Sequence, residues 1–168
     1  VECSFAKTGE MTILELREVN DIKLAEGIQR PARADEVQLV ADWMIESQLE
    51  AVSSEMDYED MLKKAAQYID DGKVYLFEKD DIVVSMVIKE RKLIKGVLLS
   101  YIYTPVDYRG EGYAAANVYY LSKALLDEGN EFCTMMADKK NPLSIRTYEK
   151  IGYRVIDDIY EYRLYQAD

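Results

Sequence analysis

Apolar positions in this chain switch between a period of two and a period near 3.6, and the switches mark out its elements. Residues 12–18 (Thr-Ile-Leu-Glu-Leu-Arg-Glu) alternate and predict a strand. A second short strand is expected at about 22–29. Asp35 is placed to cap a helix over about 35–50, in which Val37, Val40 and Trp43 (or Leu39 and Trp43) recur at helical spacing. Ser53-Ser54 breaks that pattern. A second helix is predicted from Asp57 to about Asp70, stopped by Asp70-Asp71-Gly72. Three strands follow, over 73–79, 82–90 and 97–104, with Asp80-Asp81 and Lys95-Gly96 as their turns. Pro105 ends the third, because proline cannot donate to a sheet ladder. The remainder predicts a long helix over about 110–128 and a strand over 131–137. A short helix then runs from Asn141 or Pro142 to about Ile151, followed by a last strand or hairpin arm over 153–165.

The order β-β-α-α-β-β-β-α-β-α-β predicts an α/β (α+β) domain. Its central sheet should be mixed and mostly antiparallel, with helices on both faces. The strand–helix–strand unit over 97–137 should be a right-handed crossover between parallel strands. Ligands of such sheets bind beyond the C-terminal ends of the strands, which is where the loop at 105–112 lies.

Length and charge narrow the picture. A chain of 168 residues suits one domain spanning 1–168. It carries 21 basic and 32 acidic residues, a net charge of −11. That argues against a nucleic-acid partner, which needs clustered Lys and Arg. No apolar run approaches the roughly 18 residues of a membrane span, and no signal-peptide pattern opens the chain. Cys3 and Cys133 are too few and too far apart for a disulfide framework, so a reduced, cytoplasmic setting is the expectation. Histidine is absent, which removes His-based triads and most zinc sites, and no metal site is expected. Acid–base chemistry falls to Asp, Glu, Tyr, Lys, Cys or water.

Arg109, Gly112 and Ala114 form Arg-x-x-Gly-x-Ala at the start of the long helix. Gly110 and Gly112 let a ligand approach the backbone closely. The N–H groups of Arg109, Gly110, Glu111, Gly112, Tyr113 and Ala114 would lack intrahelical partners and can bind phosphate oxygens, with Arg109 adding charge. The pattern is neither a Walker loop nor a dinucleotide fingerprint. Further on, Asn141, Ser144 and Tyr148 fall on one short helix. Tyr148 stands two turns beyond Asn141 and is protonated at neutral pH.

These two blocks, Arg109–Ala114 and Asn141-Pro142-Leu143-Ser144 with Tyr148 and Gly152-Tyr153, resemble the GCN5-related N-acetyltransferase (GNAT) superfamily. The resemblance runs over most of the chain. Val84-Ser85-Met86 with Tyr103-Thr104-Pro105, and Gly27-Ile28-Gln29-Arg30-Pro31-Ala32 with Asp35 and Trp43, are similar to one bacterial subgroup. In that subgroup such a domain is often the C-terminal half of a larger chain.

The resemblance implies an acyltransferase that moves acetyl from acetyl-CoA, its co-substrate, to a primary amine of a small molecule or peptide. It implies that the loop holds the pyrophosphate. It also implies a bulge in the strand at 97–104, leaving an N–H near Ile102, Tyr103 or Thr104 for the pantetheine arm and the thioester carbonyl. Asn141 and Tyr148 would face the thioester, Ser144 would be a further cofactor-binding residue, and Tyr148 would protonate the leaving thiolate. Glu46, Glu50 and Glu55 lie in the region that resembles the family's acceptor side, where they are either solvated surface acids or a general base. A water chain to a more distant carboxylate is the alternative base, and the acidic run at 46–60 would favour a cationic amine. The alternative on the same fold is a non-catalytic CoA-binding regulatory or interaction domain. A homodimer, or association with an N-terminal domain, is the expected form of assembly.

Overall fold

The structure is a computed structural model and describes residues 3–51 and 57–166. Among the described residues, seven strands and four α-helices follow in the expected order. They are β1 (Cys3–Leu16), β2 (Ile28–Pro31), α1 (Val37–Ala51), α2 (Tyr58–Asp70), β3 (Val74–Lys79), β4 (Ile82–Lys92), β5 (Gly96–Tyr103), α3 (Tyr113–Asp127), β6 (Phe132–Asp138), α4 (Pro142–Ile151) and β7 (Arg154–Gln166). The sheet order is β2-β3-β4-β5-β6-β1-β7, and every neighbouring pair is antiparallel except β5–β6. The parallel pair is the one joined through α3, as the crossover argument requires.

Several boundaries move. β1 starts at Cys3, well before residue 12, because β7 supplies partners from Cys3 to Glu15. The second strand begins at Ile28; residues 22–27 pack against α3 and the α3–α4 core as a loop. Asp35 does not cap α1. It lies in a 3-10 turn, Ala34–Glu36, which Glu36 closes by accepting the Arg33 N–H at 2.7 Å. Asp57 does cap α2, accepting from the Glu59 N–H at 3.0 Å. The Ser53-Ser54 break lies outside the described residues. Asp80 and Asp81 both take positive φ in the β3–β4 hairpin, a conformation that Asp tolerates better than most residues.

The helices cover two faces of the sheet. α1 and α2 bury Val40, Trp43, Met44 and Ala65 against Val74, Leu76, Met86, Ile88 and Tyr103. On the other face α3 and α4 bury Val118, Leu121, Leu125, Tyr148 and Ile151 against Leu14, Leu16, Val97, Leu99, Cys133 and Met135. Each fully buried large aliphatic side chain stabilises the fold by about 1.5–3 kcal/mol. Cys133 is a free thiol inside this second core, and burial pushes its pKa up to about 12. Among the described residues no helix is long and apolar enough to cross a membrane, and no cluster of acids and cysteines could hold a metal ion.

Candidate active site

The sheet opens in its middle. β5 and β6 pair only at Gly96–Phe132, Val97–Cys133 and Leu98–Thr134. Beyond Leu98 the two strands part, and β5 runs on to Tyr103 without β6 beside it. On its other side β5 carries a bulge. Met86 of β4 faces Tyr103 and Ile88 faces Ser100, so the extra residue falls at Tyr101–Ile102. Tyr101 takes φ 49°, a left-handed backbone that a bulky residue rarely adopts. The strand is therefore bulged where the resemblance implies, next to Ile102 and Tyr103.

The bulge also sorts the side chains. Ile102 packs toward the α3–α4 core, whereas Tyr101 and Tyr103 both pack toward α1 and α2. Tyr103 is buried, with its ring 5.7 Å from Trp43. Tyr101 is half-buried beside Tyr68, at 6.2 Å between ring centroids, and its hydroxyl accepts from Lys64 Nζ at 2.7 Å. Lys64 also stands over both rings. Ser100 Oγ, at the same bend, is buried with no hydrogen-bond partner among the described residues.

Beyond Tyr103 the chain enters the glycine-bearing loop. Thr104 is buried, and its Oγ1 donates to Ser85 Oγ at 3.0 Å, tying the end of β5 to β4. Arg109 folds back: its Nε donates to the Thr104 carbonyl at 2.8 Å and its guanidinium lies over the Tyr103 ring. One part of Arg109 thus braces the loop, a role that spacing alone did not suggest. Gly110 and Gly112 have φ +84° and +82°, and Gly112 is the left-handed residue that opens α3. An added Cβ would meet nothing within 4 Å at Gly110 and only Ala25 at 3.8 Å at Gly112. The first bond of the helix runs from the Ala116 N–H to the Gly112 carbonyl. Among the described residues no acceptor takes the N–H groups from Gly110 to Ala115. These donors and the positive end of the α3 dipole form a cradle for an anion.

A cavity of about 240 Å³ lies along this cradle, lined by Glu111, Gly112 and Ala115 on one side and Lys23, Leu24 and Ala25 on the other. Lys23 brings a second cation to the loop. Sequence reasoning missed it, because 22–29 reads as a strand and nothing local ties it to residue 112. A wider groove of about 760 Å³ lies between the end of β1 and the end of α4. Its lining mixes Glu15, Glu18 and Glu149 with Arg17 and Arg154. It shares no lining residue with the cradle or with the bulge of β5.

The later block occupies α4. Asn141 is the cap of this helix: its side chain accepts from the Ser144 N–H at 3.2 Å, which commits both groups to holding the helix start. Tyr148 is 8% exposed and sits within the core that also holds Val97, Leu99 and Ile102. Its ring meets Tyr153 edge-on at 6.3 Å, and Tyr153 in turn shares a 2.7 Å hydrogen bond with Ser122. Burial raises the Tyr148 phenol above its ordinary value, so it holds its proton throughout the physiological range. Of the candidate bases, Glu46 is exposed on α1, while Glu55 lies outside the described residues and nothing is described of the Glu50 side chain.

The chain is similar to known proteins in two ways. Residues 83–163 match the family model described as FR47-like protein. Among solved structures, a GCN5-related N-acetyltransferase from Sphaerobacter thermophilus aligns with TM-score 0.74 at 13% identity, covering 96% of this chain and 52% of that one. A GNAT-family acetyltransferase from Colwellia psychrerythraea aligns with TM-score 0.70 at 9% identity, covering 96% of this chain and 55% of that one. A Clostridium acetobutylicum protein described as a predicted acetyltransferase with acetyl-CoA aligns with TM-score 0.62 at 14% identity, covering 79% and 92%. No curated protein matches the chain. The chain spans about half the length of the first two structures. At these identities the structures speak for the fold. The chain thus shares the fold of these GNAT-family structures, and residues 83–163 are similar to the FR47-like family model.

Proposed function

We propose that this protein is an acetyl-CoA-dependent N-acetyltransferase acting on a primary amine. The observation that carries the reading is the cradle of unengaged N–H groups at Gly110–Ala115, set at the mouth of the parted strands β5 and β6. A diphosphate fits that cradle, with Lys23 alongside. The bulge at Tyr101–Ile102 turns backbone groups of β5 away from the ladder, where they can hold the pantetheine arm and orient the carbonyl. Acetyl-CoA would supply the acyl group and a thiolate leaving group. Tyr148, protonated and in the core against which Ile102 packs, would hold the proton that the thiolate takes. Arg109, Glu111 and Tyr113 belong to the loop. Asn141 and Ser144 would shape the site through the start of α4 rather than by direct contact.

One observation favours a second reading. Tyr148 is nearly enclosed, and a tyrosine so placed can be a core residue alone. A CoA-binding domain without turnover on the same fold would then result. Titration calorimetry with acetyl-CoA, followed by thiol release against a panel of amines, separates the two. Binding with turnover on an amine is the expected result. Binding with no turnover across the panel supports the second reading, and no binding removes both.

A further inference from the structure

β7 is the outer strand of the sheet, and its far edge has no strand partner among the described residues. β6 pairs with β1 only from Met11 onward. Cys3–Glu10 and Tyr160–Gln166 therefore stand out as a two-stranded ribbon. Such a ribbon is marginal in water by itself and gains stability from a third strand or a packed face. This one is also unusually apolar for an open edge. Phe5 and Leu164 are 68% and 74% exposed, and Ile159, Tyr160, Tyr162 and Tyr165 are exposed too. Edges that face water are ordinarily short, charged or interrupted by proline.

The pattern of β7 fits a copy of itself. When a strand pairs antiparallel with its own copy, residues opposite one another must both turn their backbone groups inward or both outward. That orientation alternates along the strand, so the twofold axis passes through a residue and not between two. With the axis at Tyr162, Glu161 faces the partner's Arg163, Tyr160 faces the partner's Leu164, and Ile159 faces the partner's Tyr165. Every pair is matched in charge or polarity. An axis at Tyr160 sets Ile159 against Glu161 and Asp158 against Tyr162. One at Glu161 sets Ile159 against Arg163, and one at Arg163 sets Glu161 against Tyr165. Within the chain, Glu161 lies over Gly9, which offers it no side chain. Neither Glu161 nor Arg163 has an ion-pair partner among the described residues.

We propose that two copies of this chain join through β7, antiparallel about a twofold axis at Tyr162, so that Glu161 of each meets Arg163 of the other and the two sheets become one. The interface places Tyr160, Tyr162 and Leu164 of both copies, with Phe5, on one shared face. It lies apart from the cradle and does not depend on acetyl transfer.

Sedimentation velocity on the full chain tests this. The expected species has twice the 19.4 kDa monomer mass. Glu161→Arg sets arginine against arginine across the axis, and Arg163→Glu sets glutamate against glutamate. Each should sediment as a monomer with native circular dichroism. An equimolar mixture of the two variants should recover the dimer, because each then supplies what the other needs. The chain carrying both exchanges should dimerise alone. A wild type that stays monomeric at about 100 μM, well above the Kd of an ordinary specific pair, overturns the proposal. So do single variants that remain dimeric, or a mixture that does not recover.

Discussion

The two outer strands of the sheet end it in opposite ways. β2 has four residues, finishes on Pro31, and is clasped by Arg30, which binds Glu36 at 2.6 Å and also Glu78. Proline has no N–H to offer, and the ion triad covers what remains, so that edge is closed by its own chemistry. β7 has thirteen residues, no proline, and a row of exposed tyrosine, isoleucine and leucine. A third opening lies inside the sheet, where β5 and β6 part beneath α3 and α4. It is flanked by small residues and a cradle of N–H groups. Under the two proposals above, the contrast assigns the three places different roles, with stability at β2, chemistry at the inner gap and assembly at β7.

If these roles are separate, variants at one place must leave the others unchanged. The largest effect is expected at the inner gap. Tyr148→Phe keeps the ring in the core and removes the proton donor, so kcat on a genuine amine should fall by about 10²–10⁴ while acetyl-CoA affinity and sedimentation stay near native. Near-native turnover would return Tyr148 to a packing role. Next comes the cradle. Gly112→Asp and Gly112→Asn make side chains of nearly equal size, both tolerable at positive φ. Only the aspartate sets a charge against the diphosphate. Calorimetry should show acetyl-CoA binding lost in Gly112→Asp and weakened far less in Gly112→Asn. Equal affinities in the two would take the phosphates away from this loop.

The closed edge should answer to pH. Arg30 holds the Glu36 carboxyl below its ordinary value. The stability this gives is present above the unfolded carboxyl pKa of about 4.3 and is lost as pH falls through the lower folded value. Glu36→Gln removes a charged hydrogen bond and should cost about 1–3 kcal/mol near pH 7, a Tm drop of several degrees. The difference from wild type should shrink as the pH is lowered past about 4, and a constant difference would mean the pair contributes packing only. The smallest effect is expected at the bulge. Lys64→Met removes the exposed tie to the Tyr101 hydroxyl and should lower stability by less than about 1 kcal/mol. A larger loss by chemical denaturation would show that this tie holds the bend of β5 in place.

Periodicity predicted the central elements, because Val74–Tyr103 and α3 carry local patterns strong enough to stand alone. It did not predict the first half of β1. Ser4-Phe5-Ala6-Lys7-Thr8-Gly9 has little alternation, and what makes it a strand is β7, distant in sequence. For the same reason residues 22–27 read as a strand although none of the described strands pairs with them. The loop at Arg109–Ala114 was legible as a motif, since glycine spacing reports backbone conformation directly. The brace from Arg109 to the Thr104 carbonyl was not, because a side-chain partner depends on where the chain returns. The bulge at Tyr101 was implied only by resemblance. A residue forced to positive φ leaves no trace in composition unless it is glycine.

The buried thiol of Cys133 makes the molecule its own clock. Thiolate is the form that reagents attack, and a pKa pushed up to about 12 leaves almost none of it while α3 covers β6. Alkylation therefore has to wait for that layer to lift. Its rate at low reagent would report the opening free energy of the core under α3, and at high reagent the opening rate itself. Because α3 begins at the cradle, ligand bound there should slow the clock.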